Sequence, residues 1–297
     1  MLTQDRYERM LIERRDNGVV VVTFNRPEKL NAWDAVAHTE LTRLTQDAHR
    51  DPFVKVLVLR GAGRAFSAGG DFSGDGPDIG DWPGAAGDVW TEARMIVDHL
   101  LECSKPIIAS VQGHAAGLAA TIALLCDVVI AGPDAVSIDT YVRVGIGAGD
   151  GGQVAWPFLI GMSRAKYYLM TGEAINAVDA ERMGLVTFLD DEPFTRAMQI
   201  ADRPAAGPQA AIRASKVPIN SWLRSQAGHI RSPFAGARGD LRQDERRYRG
   251  TSRISGEASG EVHRNLSMLE DRRIALQANR TCMNRALFPV RLSKGCR

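Results

Sequence analysis

The sequence predicts an α/β fold, on three observations. Apolar runs of strand length, at residues 18 to 24, 54 to 59, 107 to 111 and 128 to 131, alternate with stretches whose apolar residues recur at helical spacing. Glycine-rich turns follow several of those strands. A chain of 297 residues, 44% hydrophobic and 24% charged, also has an ordinary globular composition with enough apolar material for a sizeable core.

Taken in order, residues 10 to 15 and 18 to 24 flank Asp16-Asn17-Gly18 and read as a β-hairpin with an Asn-Gly turn, broken afterwards by Asn25-Arg26-Pro27. Trp33, Val36, Ala37, Leu41, Leu44 and Ala48 are spaced as one face of a helix over residues 33 to 50, which Asp51-Pro52 stops. A buried strand over residues 54 to 59 follows. Residues 61 to 87, rich in Gly, Asp and Pro, read as loop. Then come a helix over 89 to 101, a strand over 107 to 111 opened by Pro106, a helix over 118 to 125 and a strand over 128 to 131. Beyond Asp150 the sequence predicts helices over 154 to 160, 163 to 171 and 178 to 183, a short strand over 185 to 189, and a helix through about Ala201. No exact repeat is present; a coarse unit of strands plus helix recurs.

Charge divides the chain. Residues 231 to 297 carry 14 Arg and one Lys against seven acids, a balance of +8 within a chain whose net charge is +2. Residues 1 to 203 read as an α/β core, 204 to 230 as the start of a C-terminal helical region, and 231 to 297 as an atypical basic tail. There, text such as Arg246-Arg247-Tyr248-Arg249-Gly250 replaces the amphipathic pattern begun at Trp222-Leu223. The tail reads as a divergent, poorly ordered segment or as an altered reading frame. Few aromatics and no helical Arg stripe argue against a nucleic-acid partner.

No run approaches the roughly 18 to 20 apolar residues of a membrane span, and MLTQDRYERM carries charge where a signal peptide needs an apolar stretch, so a cytoplasmic protein is expected. Cys103, Cys126, Cys282 and Cys296 form no CxxC pair and no zinc spacing, and read as free thiols. Asp71, Asp75, Asp78 and Asp81 follow no EF-hand spacing. No metal is expected.

Chemistry is expected at three glycine-rich turns, Gly61 to Gly70, Gly113 to Gly117 and Gly145 to Gly152, each placing backbone N–H groups at a chain reversal or helix start. Fixed N–H dipoles suit an oxyanion, because they need no reorganisation as charge develops on a carbonyl oxygen. Gly147 to Gly152 formally matches GxGxxG, but a dinucleotide-binding turn should follow a continuous apolar strand, and Ile138 to Val144 is broken by polar residues.

Four segments occur in register: Asn25-Arg26-Pro27-Glu28-Lys29-Leu30-Asn31-Ala32; Ala65-Phe66-Ser67-Ala68-Gly69-Gly70-Asp71; Gly113-His114-Ala115-Ala116-Gly117 with Cys126-Asp127; and Leu169-Met170-Thr171-Gly172 with residues 180 to 185. Over residues 10 to 220 the chain thereby resembles the crotonase (enoyl-CoA hydratase/isomerase) superfamily. The resemblance implies a spiral of ββα units, a homotrimer or hexamer, an acyl-CoA substrate and no cofactor beyond the coenzyme A of that substrate. By motif position it implies Ala68 and Leu118 as oxyanion donors, Lys29 and Leu30 beside the CoA moiety, and Ala68, Gly69, Gly70 and Asp71 around its adenine end.

The chain departs from that pattern where hydratases of the superfamily resemble one another in carrying two glutamates. Here those positions hold Thr121 and Tyr141. A threonine hydroxyl hardly ionises and tyrosine has an unperturbed pKa of about 10, so neither replaces a carboxylate base near pH 7. Asp150 matches an aspartate that resembles the catalytic acid of dienoyl-CoA isomerases and β-diketone hydrolases of the superfamily. It is the expected acid/base, and a helix N-cap is its bland alternative. Tyr141 and Asp139 are expected to assist it, since a phenol donates to an enolate or orients a water. Trp156 and Phe158, with Trp82 and Trp90, are candidates for an acyl-pocket wall, core packing being the ordinary alternative, and His114 reads as a packing residue. The expected activity is that of an enoyl-CoA hydratase/isomerase; the alternatives are a retro-Claisen β-diketone hydrolase, whose histidine positions hold Leu118 and Tyr141 here, and a non-catalytic acyl-CoA binder.

Overall fold

The computed structural model describes residues 1–71, 89–144 and 147–230, without the side chains of 89, 90, 144 and 228–230. The basic tail, the acids Asp75, Asp78 and Asp81, and Trp82 lie outside the described residues, as do Cys282 and Cys296.

The elements are β1 (Met10–Arg14), β2 (Val19–Phe24), α1 (Ala35–Arg50), β3 (Val56–Gly61), α2 (Val89–Glu102), β4 (Ile107–Val111), β5 (His114–Ala116), α3 (Leu118–Leu124), β6 (Val128–Ala131), β7 (Val136–Ile138), α4 (Gly152–Ile160), α5 (Met162–Thr171), β8 (Ile175–Asn176), α6 (Ala177–Met183), β9 (Phe188–Leu189), α7 (Pro193–Ala206) and α8 (Gln209–Ile230). The hairpin forms as expected, with Met10 opposite Phe24 and Arg14 opposite Val20. Its loop is three residues long, closed by Arg15 N to Val19 O and Gly18 N to Arg15 O, so it is a turn plus bulge rather than a two-residue Asn-Gly turn. Helix α1 starts two residues later than the apolar spacing predicts, because Asp34 caps it, its carboxylate accepting from Ala37 N at 2.9 Å.

The larger sheet has the order β1-β2-β3-β4-β6-β9, antiparallel at β1/β2 and parallel elsewhere, with Val21 beside Val58, Leu57 beside Ile107 and Ala109 beside Val129. Its inner strands β2, β3, β4 and β6 are largely apolar on both faces because both are covered, while the edge strand β1 alternates exposed with buried or half-buried residues. Val20, Val22, Leu57, Leu59, Ile107 and Ala109 join the main core with Leu41, Leu44, Ile96 and Leu100 of α1 and α2. Val19, Val21, Val56, Val58, Ile108 and Ile130 instead meet Ala197, Ala201 and Ala205 of α7, whose small residues at every fourth position let that helix approach closely.

A second sheet, β5-β7-β8, pairs Ala115 with Ser137 in parallel and Ser137 with Ile175 in antiparallel register. The sequence offers no periodicity for it, since its strands hold two or three residues. Ser67 extends it by a single parallel bridge to Ala115. The coarse unit thus resolves into three turns of chain: β3, Ser67, α2; β4, β5, α3; β6, β7, α4. Each gives one strand to the large sheet and one strand or bridge to the small one before entering a helix. Ser67, Ala115 and Ser137 of successive turns therefore lie side by side. Among the described residues no helix is long and apolar enough to cross a membrane, and Cys103 and Cys126 are buried free thiols.

Candidate active site

The segment around Ala68 lies between two others. On one side Ala68 N donates to Leu30 O at 2.9 Å, Trp33 N to Gly69 O at 2.8 Å and Asp71 N to Trp33 O at 2.9 Å; on the other Ser67 N donates to His114 O at 3.0 Å and Ala116 N to Ser67 O at 3.1 Å. Asn31 is the joint. Its amide donates to Ala62 O and Ala65 O, both at 2.8 Å, its side-chain oxygen accepts from Arg26 N at 3.0 Å, and its carbonyl accepts from Ser67 Oγ at 2.8 Å. Leu30 and Asn31 both sit in the left-handed region, at φ 52° and 56°, which for two successive non-glycine residues needs such outside support.

Of the expected CoA contacts, Lys29 is exposed. Asp71 is committed within the protein, accepting from Arg26 Nη2 at 3.1 Å. Gly69 and Gly70 lie in the ladder beside Trp33. The Ala68 N–H, one of the two expected oxyanion donors, is occupied by the Leu30 carbonyl.

The second expected donor, Leu118, opens α3. Gly117 before it adopts φ 55° and ψ −126°, a conformation closed to residues with a Cβ, and a side chain there would stand 3.5 Å from the Tyr141 ring. The Leu118 N–H faces the Tyr141 phenol oxygen. That phenol donates to Asp150 Oδ2 at 2.5 Å, while the Tyr141 backbone N–H donates to Asp139 Oδ1 at 3.2 Å. Asp150 and Asp139 are 3% and 1% exposed.

Burial is the largest influence on all three groups. It pushes the Asp150 carboxyl up to about 6, against the Tyr141 hydrogen bond and the N–H groups of Gly152 and Asp150, which face the carboxyl without closing a hydrogen bond on Oδ1. It pushes Asp139 up to about 7, helped by the Asp150 charge. Tyr141 is raised well above its ordinary range by burial and by both carboxylates. The helix-cap alternative for Asp150 holds only in part: Gly151 is the N-cap of α4, and Asp150 stands one residue earlier.

Thr121 is wholly buried with a hydroxyl that has no partner among the described residues. Trp156 belongs to the core, tilted against Tyr168 at 6.1 Å; Phe158 is exposed and meets Trp222 edge-on at 5.0 Å. Sequence reasoning missed the buried pair of His38 and Glu92, joined at 2.8 Å across α1 and α2, whose histidine acts on the Asp150 charge. Both residues sit on helices with no motif, so only the helix-face register marks them as inward. The grooves lined by Tyr7, Thr39, Glu40 and Arg43 and by Met95, His99, Glu102 and Arg224 contain none of the Asp139, Tyr141 and Asp150 cluster.

Comparison with known proteins bears on the family. The Enoyl-CoA hydratase/isomerase family pattern matches residues 14–232. A Mycobacterium tuberculosis protein named "Probable enoyl-CoA hydratase" is 34% identical over 211 residues, 69% of this chain and 79% of that protein. The 1,2-epoxyphenylacetyl-CoA isomerase of Escherichia coli is 32% identical over 214 residues, 71% of this chain and 82% of the isomerase. A crystal structure of an enoyl-CoA hydratase/isomerase from Mycobacterium paratuberculosis superposes with a TM-score of 0.67 at 32% identity, covering 78% of this chain and 98% of that one. With its spiral of strand pairs and helices, the chain belongs to the enoyl-CoA hydratase/isomerase family of crotonase-fold enzymes.

Proposed function

We propose that this enzyme moves a proton along the acyl chain of an enoyl-CoA thioester, isomerising its double bond, with Asp150 as the proton carrier. The observation that carries the reading is the Tyr141 phenol, which faces the Leu118 N–H and donates to Asp150 Oδ2, standing where two-glutamate hydration would need a carboxylate.

In this reading the thioester oxygen takes the Leu118 and Ala68 N–H groups, displacing the Tyr141 phenol oxygen from one and the Leu30 carbonyl from the other. One acceptor replaces another, so no buried N–H is left unpaired during the exchange. Asp150 removes a proton from the carbon chain to give an enolate, whose charge the two N–H dipoles stabilise, and then returns the proton to a different carbon. A carboxyl near pH 6 serves both halves at neutral pH, being ionised enough to accept and acidic enough to donate. In the same reading Lys29 and the Ala68 to Asp71 segment lie beside the CoA moiety.

The test is conversion of a 3-enoyl-CoA to the conjugated 2-enoyl-CoA, followed by thioester absorbance. Asp150→Asn should lose at least about 100-fold in a folded protein, the usual scale of acid–base catalysis. Retention of wild-type isomerisation by that variant would overturn the role of Asp150, and hydration of a 2-enoyl-CoA without isomerisation would overturn the reaction. We also propose a homotrimer closing over Phe158, Met162, Met170, Ile219 and Trp222, which are 43%, 67%, 67%, 66% and 55% exposed. Light scattering giving a monomer mass at micromolar concentration would refute it.

A further inference from the structure

Two carboxyl groups, not one, hold Tyr141. Asp150 takes its hydroxyl and Asp139 its backbone N–H, and each aspartate keeps a second oxygen, Asp150 Oδ1 and Asp139 Oδ2, buried with no hydrogen-bond partner among the described residues. Both groups meet at one backbone position. A Cβ on Gly152 would stand 2.7 Å from Asp139 Oδ2, and the Gly152 N–H faces the Asp150 carboxyl. The missing side chain at residue 152 is what lets the two carboxyls converge beneath the same turn of chain.

Two ionised carboxylates with unpartnered oxygens in so dry a place repel each other, and the His38 charge, itself engaged by Glu92, acts on Asp150 and not on Asp139. From the surrounding elements the Tyr141 phenol donates to the pair and His38 of α1, which Glu92 of α2 holds at 2.8 Å, acts on it, while the Thr121 methyl of α3 would stand 2.8 Å from a Cβ on the neighbouring Gly151. A single shared proton relieves the repulsion at neutral pH.

We infer that Asp139 is a positioning residue that holds the proton of the pair and leaves Asp150 ionised: the two carboxyls act as one acid pair holding one proton across Gly152, with Tyr141 clamped between them. Asp139 does not touch the substrate. It takes up the proton of the pair, its own affinity raised by the Asp150 charge, and it holds the Tyr141 backbone so that the phenol reaches Oδ2. The inference rests on Asp150 being the proton carrier only for its catalytic consequence; the acid pair stands or falls by titration.

The experiment is a carboxyl titration by infrared difference spectroscopy on the whole protein, wild type, Asp139→Asn and Asp150→Asn, alongside the pH profile of kcat/KM for 3-enoyl-CoA isomerisation. The wild type should give two carboxyl steps absent from ordinary surface acids. In Asp150→Asn the Asp139 step should fall by about one pH unit or more, as expected for loss of a close like charge, whereas in Asp139→Asn, whose amide stands in for the neutral acid, the Asp150 step and the acid limb of kcat/KM should stay in place. An Asp139 step unchanged by Asp150→Asn, or an Asp150 step lowered by about a unit or more in Asp139→Asn, overturns the inference, whatever the activity. If Asp139→Asn does not fold, the wild-type and Asp150→Asn spectra decide: Asp139 titrating alike with and without Asp150 overturns the pair, and a fall in its step upholds it. Absence of isomerisation in the wild type with the shifted titration intact overturns the proposed reaction but leaves the acid pair standing.

Discussion

Replacing Tyr141 by phenylalanine removes one hydroxyl and tests how the site is tuned. Its hydrogen bond to Asp150 Oδ2 spans 2.5 Å and stabilises the ionised carboxylate. A hydrogen bond to a charged group contributes about 1.5 to 3 kcal/mol. At 1.36 kcal/mol per unit this is about one to two pKa units, so Asp150 should rise from about 6 to about 7 or 8. At pH 7 the ionised fraction then falls from about nine-tenths to between about a half and a tenth. kcat/KM at pH 7 should drop roughly two- to tenfold and recover most of the loss at pH 9, as the acid limb of the profile moves up. The assay is kcat/KM for 3-enoyl-CoA isomerisation from pH 5 to 9.5, with circular dichroism to confirm the fold. An unmoved acid limb would refute the tuning role. A uniform loss at every pH would refute action through Asp150 and make the phenol a direct contact of the substrate.

Three further outcomes follow from named contacts. Because burial raises Asp139 from 3.8 to about 7, the folded state binds more protons than the unfolded one in that range, so the group's contribution is favourable below about pH 4 and is lost as pH rises through 7. Asp139→Asn should therefore be more stable than wild type by about 2 to 4 kcal/mol in urea at pH 8 and not at pH 4, and equal stability at pH 8 would contradict the burial cost. Gly152→Ala places a methyl 2.7 Å from Asp139 Oδ2 and 3.2 Å from Ala148 Cβ, and should cost roughly 1 to 3 kcal/mol of stability and most of the activity; wild-type kinetics would show that the convergence at Gly152 is immaterial. Asn31→Ala leaves two carbonyls and one N–H without their partner and frees a strained left-handed residue, so it should lower stability by about 2 to 4 kcal/mol, measured by urea midpoint. A loss under about 0.5 kcal/mol would mean that Asn31 is not the joint between the Leu30 and Ala68 segments.

By itself the sequence determined the large sheet and its helices, because strands covered on both faces must be continuously apolar, as Val19 to Val22, Val56 to Leu59 and Ile107 to Ala109 are, and because helix faces keep their spacing. It also determined what chemistry is closed to the site: Thr121 and Tyr141 are not carboxylates whatever the fold. Tertiary structure alone decided the rest. The small sheet is made of two- and three-residue strands, too short to carry a period, and exists only because successive turns of the spiral stack. That the Ala68 N–H rests on Leu30 O, that the Tyr141 phenol faces the Leu118 N–H, and that Asp139 and Asp150 converge on Gly152 are contacts between segments 9 to 38 residues apart. Side-chain chemistry is written locally. The proton affinity of a carboxyl depends on how much water and which charges surround it, and only the folded chain places those around Asp150.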